Sequence, residues 1–261
     1  MMRANPESEK GELMHKQVDC EAAGPGWKAF YTMGGAAVLI TVLVVLAEIA
    51  IGFLPGVTLA SQRTVTVIDW FTLFQNNWFL GLRNLGLLNL IGAAFLTPAF
   101  LAMYFALRRE HEPWAALGAI LFFMGMAIYL ASNRAFAMLS LSGQYASATT
   151  DTQRTLLAAA GQTMLVEGLS RVGIFLIDSA GLVLSAVMMR GKVFGRAAAC
   201  AGIVGNSLMI VFEIILAFAP AWFNVGIFVA MCGGVSIMVW YLLVGRRLLL
   251  LGRDQEDLSR K

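Results

Sequence analysis

The feature that most restricts this chain is a series of unbroken apolar runs, each about as long as a bilayer is thick. They fall at residues 29–54, 85–107, 114–132, 172–189, 197–219 and 224–244. A helix needs roughly 20 apolar residues to cross the hydrocarbon core. Apolar and polar residues do not alternate within the runs, so they read as helices rather than strands. In lipid the backbone has to satisfy its own hydrogen bonds, and a single helix does so. The expected fold is therefore all-α, a polytopic transmembrane bundle of about six helices. Composition agrees: 59% of residues are hydrophobic and 13% charged, against roughly 45–50% and 25% in soluble domains.

The organisation read from this pattern is a polar tail at 1–28, a six-helix transmembrane domain at 29–247 and a second short tail at 248–261. Both tails are expected on the cytoplasmic side of the membrane, because Lys and Arg collect on the inner face. That face would hold 14 of the 19 basic residues, leaving Arg63, Arg83, Arg134, Arg154 and Arg171 outside. The net charge of +3 then reports topology and the bilayer as partner, not nucleic acid; no basic run is interleaved with aromatics. The polar leader is too long and the first run too extended for a secretory signal, although Thr58-Leu59-Ala60 has the small residues of a cleavage site. Cys20, Cys200 and Cys232 form no spaced pair and imply no disulfide framework.

Two outer segments are expected. In residues 55–84, Trp70, Phe71, Phe74, Trp78 and Phe79 read as an interfacial aromatic anchor. In residues 133–171, Thr150-Asp151-Thr152-Gln153 has the form of a capping box, from which a helix could run on into the fourth span. Pro98 is expected to kink the second span.

Three acids fall inside the spans: Glu48, Asp178 and Glu213. An Asp at the centre of a membrane helix costs about 2.5–3.5 kcal/mol on the insertion scale. Counted from the span ends, all three lie roughly 9 Å below the outer boundary, and Asn89 falls at a similar level. Arg83, Arg134 and Arg171 stand nearer the surface. The favoured reading is a structural, accessory or sensory membrane protein whose acids pair with these arginines and lock the helices together. The alternative is a small transporter or channel for a proton, cation or polar solute, with Glu48, Asn89, Asp178 and Glu213 as the binding groups.

An intramembrane enzyme is the third reading and the least supported. The histidines are His15 and His111, both outside the spans, so a zinc-dependent or serine–histidine site has no ligands or base there. Gly168-Leu169-Ser170 is a fragment of a nucleophile elbow. Gly24-Pro25-Gly26 opens a dinucleotide-like spacing with no strand before it. Arg108-Arg109-Glu110-His111-Glu112 reads as a solvated turn rather than a metal site. No metal or cofactor is expected. Small residues recur at Gly226, Ala230 and Gly234 and again at Ala198, Gly202 and Asn206, stripes that suit close helix packing. The first could also serve a homodimer.

Three stretches resemble a family of uncharacterised prokaryotic six-helix membrane proteins, a domain of unknown function. They are Leu87-Leu88-Asn89-Leu90 through Pro98 to Tyr104 and Arg108; Tyr145-Ala146-Ser147-Ala148-Thr149-Thr150 with Leu156 to Gln162; and Gly181-Leu182-Val183-Leu184-Ser185 through Gly195 to Gly205-Asn206. The resemblance implies a bacterial plasma-membrane protein and transfers no activity.

The orientation has a direct test. With the native cysteines replaced by serine, Ala221→Cys should react with an impermeant thiol reagent added to intact cells. Lys192→Cys should react only after permeabilisation; the opposite pattern would invert the topology.

Overall fold

The computed structural model describes residues 25–52, 65–165 and 168–259, with side chains described up to Arg253. Its helices are α1 (Pro25–Gly52), α2 (Val67–Asn76), α3 (Trp78–Asn84), α4 (Leu87–Ala131), α5 (Ala135–Ser147), α6 (Asp151–Met164), α7 (Gly168–Arg190), α8 (Arg196–Phe218) and α9 (Phe223–Ser259), with one 3-10 turn (Pro220–Trp222) before α9. No strand occurs among the described residues. Five helical stretches are long and apolar enough to cross a membrane.

One of these stretches contains α4, whose 45 residues would reach about 68 Å if straight. It is not straight. His111 leaves the helical region at φ −151, ψ 77, and the chain folds back there. Phe100 and Phe122 lie equally far on either side of His111, and their rings stack with centroids 3.7 Å apart. In a continuous helix they would be separated by about 33 Å. Thus α4 is a hairpin of two arms, residues 87–110 and 112–131, at the positions of the second and third expected spans. The break in helical dihedrals within α4 falls at His111, and Pro98 lies inside the first arm. Pro113 sits in the first turn of the second arm, where a missing N–H loses no intrahelical bond.

Successive long elements pack antiparallel in a closed order: α1 on α4, α4 on α7, α7 on α8, α8 on α9, and α9 back on α1. Phe100, Phe122, Trp240, Met103, Leu184 and Met188 fill the shared core. Glycine permits the closest approaches. A Cβ on Gly173 of α7 would lie 2.8 Å from the Tyr129 backbone nitrogen and 2.9 Å from the Gly125 carbonyl oxygen, both on α4. On α8, Gly202 and Asn206 are buried toward α7 and α9. The other small-residue stripe is divided. Gly226 packs on Ile215 and Phe212 of α8, while no atom lies within 4 Å of where a Gly234 Cβ would be. Along the outside, Leu43, Leu46, Phe228, Met231, Val235 and Val239 are exposed.

The outer segments fold into a helical cap at one end of the bundle. Its own core joins Trp70, Phe71 and Phe74 of α2 to Leu82 of α3 and Ala135 and Met138 of α5. This corrects the expected aromatic anchor: Trp70, Phe71 and Phe74 are buried inside the cap, and Trp78 and Phe79 alone of the five are exposed. On the amphipathic α2, positions 67, 70, 71 and 74 share one face, and α5 offers an apolar partner. Thr66 starts α2 with a capping box, Asp69 N–H donating to Thr66 Oγ1 (3.3 Å) and Thr66 N–H to Asp69 Oδ2 (2.7 Å). These bonds hold the Asp69 carboxyl below its ordinary pKa by favouring its charged form. At α6, Gln153 N–H donates to Thr150 Oγ1 as the sequence motif requires, and the helix ends at Met164. Val166 and Glu167, which join it to α7, lie outside the described residues, as do Thr58-Leu59-Ala60 and Arg63.

The end opposite the cap is the hinge end, formed by His111, the α7–α8 loop and the end of α9. Here α9 continues past the expected span. Leu248 is buried, and a Cβ on Gly252 would meet Thr32 and Lys28 of α1, so the bundle includes residues assigned to the C-terminal tail.

Gly173→Ala should lower the thermal stability of the purified protein by roughly 1–3 kcal/mol, since backbone atoms on both sides block relaxation. Gly234→Ala should leave it unchanged or slightly raised. Equal effects in thermal unfolding would disprove the close packing of α4 on α7.

Candidate functional site

The sequence places three acids beneath three arginines; the structure divides five of these residues between two places and sets Asp178 deeper in the bundle. The first is a lock between α1 and the cap. Arg83, at the end of α3, is 3% exposed, and its Nη2 lies 3.0 Å from Glu48 Oε1. The same nitrogen donates to the Glu48 carbonyl oxygen at 3.1 Å, and Nη1 donates to Asn84 Oδ1 at 2.8 Å. A guanidinium can do this because its donors are fixed in a planar fork. Gly86, at φ +88, then turns the chain into α4, a conformation that an L side chain would strain.

The second place is a cavity of about 350 Å³ where the cap meets the bundle. Its wall includes Asn89 at the start of α4, Arg134 at the α4–α5 junction, Arg171 at the start of α7 and Glu213 near the end of α8. Four of the seven residues singled out from the sequence therefore share one pocket. Arg171 Nη1 lies 3.8 Å from Glu213 Oε2, with Glu213 buried and Arg171 30% exposed. That spacing is an ion pair without a direct hydrogen bond. Arg134 Nη1 donates to the Met164 carbonyl at the end of α6, where the helix dipole favours a cation. Ser132, Asn133, Ser170 and Tyr129 also line the cavity. Of these only Ser170 stood out in the sequence, as part of a nucleophile-elbow fragment; single hydroxyl and amide residues at span ends are common, and their convergence is tertiary.

Asp178 lies two turns along α7 from Arg171, about 10 Å deeper in the bundle. It is 6% exposed, has no ion pair among the described residues, and its Oδ2 has no hydrogen-bond partner. One further heptad on is Ser185, fully buried, whose Oγ likewise has no partner. Facing it, a Cβ on Gly202 of α8 would lie 2.0 Å from Ser185 Oγ and 2.7 Å from Trp240 Nε1, and that indole nitrogen is also unpartnered. Between these levels, Asn206 sits against Gly181, and its Nδ2 donates to the Gly202 carbonyl at 2.7 Å. Residues 171, 178 and 185 thus form a heptad-spaced polar stripe on α7, opposed by 213 and 206 on α8. This seam leads from the cavity into the bundle. Buried polar atoms in native proteins are nearly always bonded to protein or to water, so several unpartnered ones along a line set this seam apart from the apolar core around it.

The remaining candidates have local roles. Glu110 Oε1 accepts from Lys192 N–H at 2.5 Å and Val193 N–H at 3.1 Å, which ties the α7–α8 loop to the α4 hinge; the 108–112 turn is a clamp rather than a simply solvated loop. No group of three His, Cys, Asp or Glu side chains that could hold a metal occurs among the described residues.

Glu48→Gln should lower stability by about 3–5 kcal/mol, because it leaves Arg83 buried without its counter-charge, whereas Gln at the more exposed Asp69 should act only on the cap. Thermal unfolding in detergent measures this; a Glu48→Gln protein as stable as the parent would remove the lock. Comparison of the chain with known family models, with curated proteins and with solved structures finds no match.

Proposed function

We propose that this chain is a six-span membrane transporter for a small polar solute, with both termini on the inner face and the cap and its cavity on the outer face. The observation that carries this reading is the polar seam from Arg171 and Glu213 through Asp178 and Asn206 to Ser185 and Trp240. A cavity of about 350 Å³ is within the size range of small-molecule sites, roughly 300–1,000 Å³. Polar groups sunk in a membrane bundle are costly and mark pathways for ions and solutes. The solute would enter from the cap end and meet Asn89, Arg134, Arg171 and Glu213. Asp178, deeper and without an arginine, would be the group that a proton or the solute engages next.

The accessory or sensory reading keeps one specific support, the Arg83–Glu48 lock, which needs no transported ligand to explain it. Neither residue of that pair lines the cavity, so it accounts for one acid of three. The resemblance to prokaryotic six-helix proteins favours a bacterial plasma membrane.

The two readings differ in where water goes. In a cysteine-free background, Ser170→Cys and Ser185→Cys should both react with a small water-soluble thiol reagent. Ala180→Cys, buried in the apolar core beside α4, should not. A Ser185→Cys as inert as Ala180→Cys would rule out a hydrated seam and with it transport; an inert Ser170→Cys would rule out an open cavity.

A further inference from the structure

A second cavity lies at the hinge end, where neither the seam nor the cap reaches. It is a groove of about 250 Å³ between the second arm of α4 and the last turns of α7, lined by His111, Trp114, Leu182, Val183, Val187 and Arg190, among others. Its two halves differ in chemistry. His111 begins the second arm of α4 and Arg190 ends α7, and because the two helices are antiparallel both stand at the same mouth. Away from the mouth the wall is aliphatic and aromatic, and Trp114 is 55% exposed along it. Ala186, also a lining residue, is exposed and leaves the groove open.

The charge at the mouth is set by the fold. Glu110 is the nearest acid in the hinge to the α7–α8 loop, and its carboxylate accepts from the Lys192 and Val193 backbone N–H groups. Arg247 of α9 donates through Nε to the Val193 carbonyl at 2.6 Å. The loop is therefore held from both sides, and Arg190, Lys192 and Arg196 follow one another at its ends. Glu112 is not part of the groove wall.

We infer that this groove binds an anionic phospholipid, its phosphate headgroup at Arg190 and His111 and one acyl chain against Trp114, Leu182 and Val183. Basic pockets between membrane helices at the inner surface recognise anionic headgroups, and tryptophan favours the level of the headgroups. A soluble anion would need the cationic mouth but not the apolar wall; an uncharged lipid would need the wall but not the arginine. The inference rests on membrane insertion of the bundle and not on what the cavity at the cap end binds.

The test titrates the full-length protein in detergent with phosphatidylglycerol or phosphatidylcholine and reads bound lipid by native mass spectrometry. Phosphatidylglycerol should bind the parent protein more tightly. Arg190→Gln should weaken it about fivefold, the equivalent of about 1 kcal/mol per basic residue near a lipid surface, and leave phosphatidylcholine unchanged. Ala186→Phe, which fills the groove and keeps the charge, should weaken both lipids. The inference is overturned by equal binding of the two lipids to the parent, by an Ala186→Phe protein that binds as the parent does, or by glycerol phosphate displacing phosphatidylglycerol as well as the lipid itself does.

Discussion

Gly173 of α7 and Gly125 of α4 meet backbone to backbone, near enough that a Cβ on either would lie within 3.0 Å of the other helix. The cap end depends on this approach. It brings the start of α7, with Ser170 and Arg171, beside the end of α4, with Tyr129 and Ser132, and so closes one side of the cavity. With one face of α7 fixed on α4 through Gly118, Gly125 and Gly173, the heptad-spaced face carrying Arg171, Asp178 and Ser185 is turned toward α8. Had larger residues separated α7 from α4, the same polar side chains would stand in a wider and less enclosed space.

The two treatments of buried charge follow from this geometry. Arg83 and Glu48 meet at 3.0 Å, and the guanidinium also donates to the Glu48 carbonyl and to Asn84, so removing either charge would strand a buried partner. Arg171 and Glu213 meet at 3.8 Å on the wall of a cavity, where solvent or a ligand can share the contact. Asp178 has neither arrangement. One acid thus holds the cap to the bundle, and two stand on the route inward from the cavity.

The cap and the hinge end are held by different means. At the cap, apolar burial around Phe71 and Met138 is joined to side-chain bonds such as Ser142 Oγ donating to the Phe71 carbonyl at 2.9 Å. At the hinge end, Glu110 and Arg247 grip the backbone of a short loop. Both ends therefore fix the positions of arginines, Arg134 at the cavity and Arg190 at the groove.

The sequence by itself determined the helical class and the places of the long apolar elements, because a run of some twenty apolar residues has few alternatives to a helix of that length. It also marked Asn89, Arg134, Arg171 and Glu213, since charge and amide groups near apolar runs stand out one residue at a time. It could not show that Glu48 belongs with Arg83 and away from the other acids, or that Trp70, Phe71 and Phe74 face inward. Both depend on which distant segments meet: residue 48 with 83, and residue 71 with 142. Nor could it show the seam, because Ser185, Asn206 and Trp240 are ordinary residues in apolar helices until α7, α8 and α9 bring their polar atoms together. Periodicity along one chain sets local structure; the pairing of surfaces between helices is decided by side-chain volume and close approach, which exist only in the folded bundle.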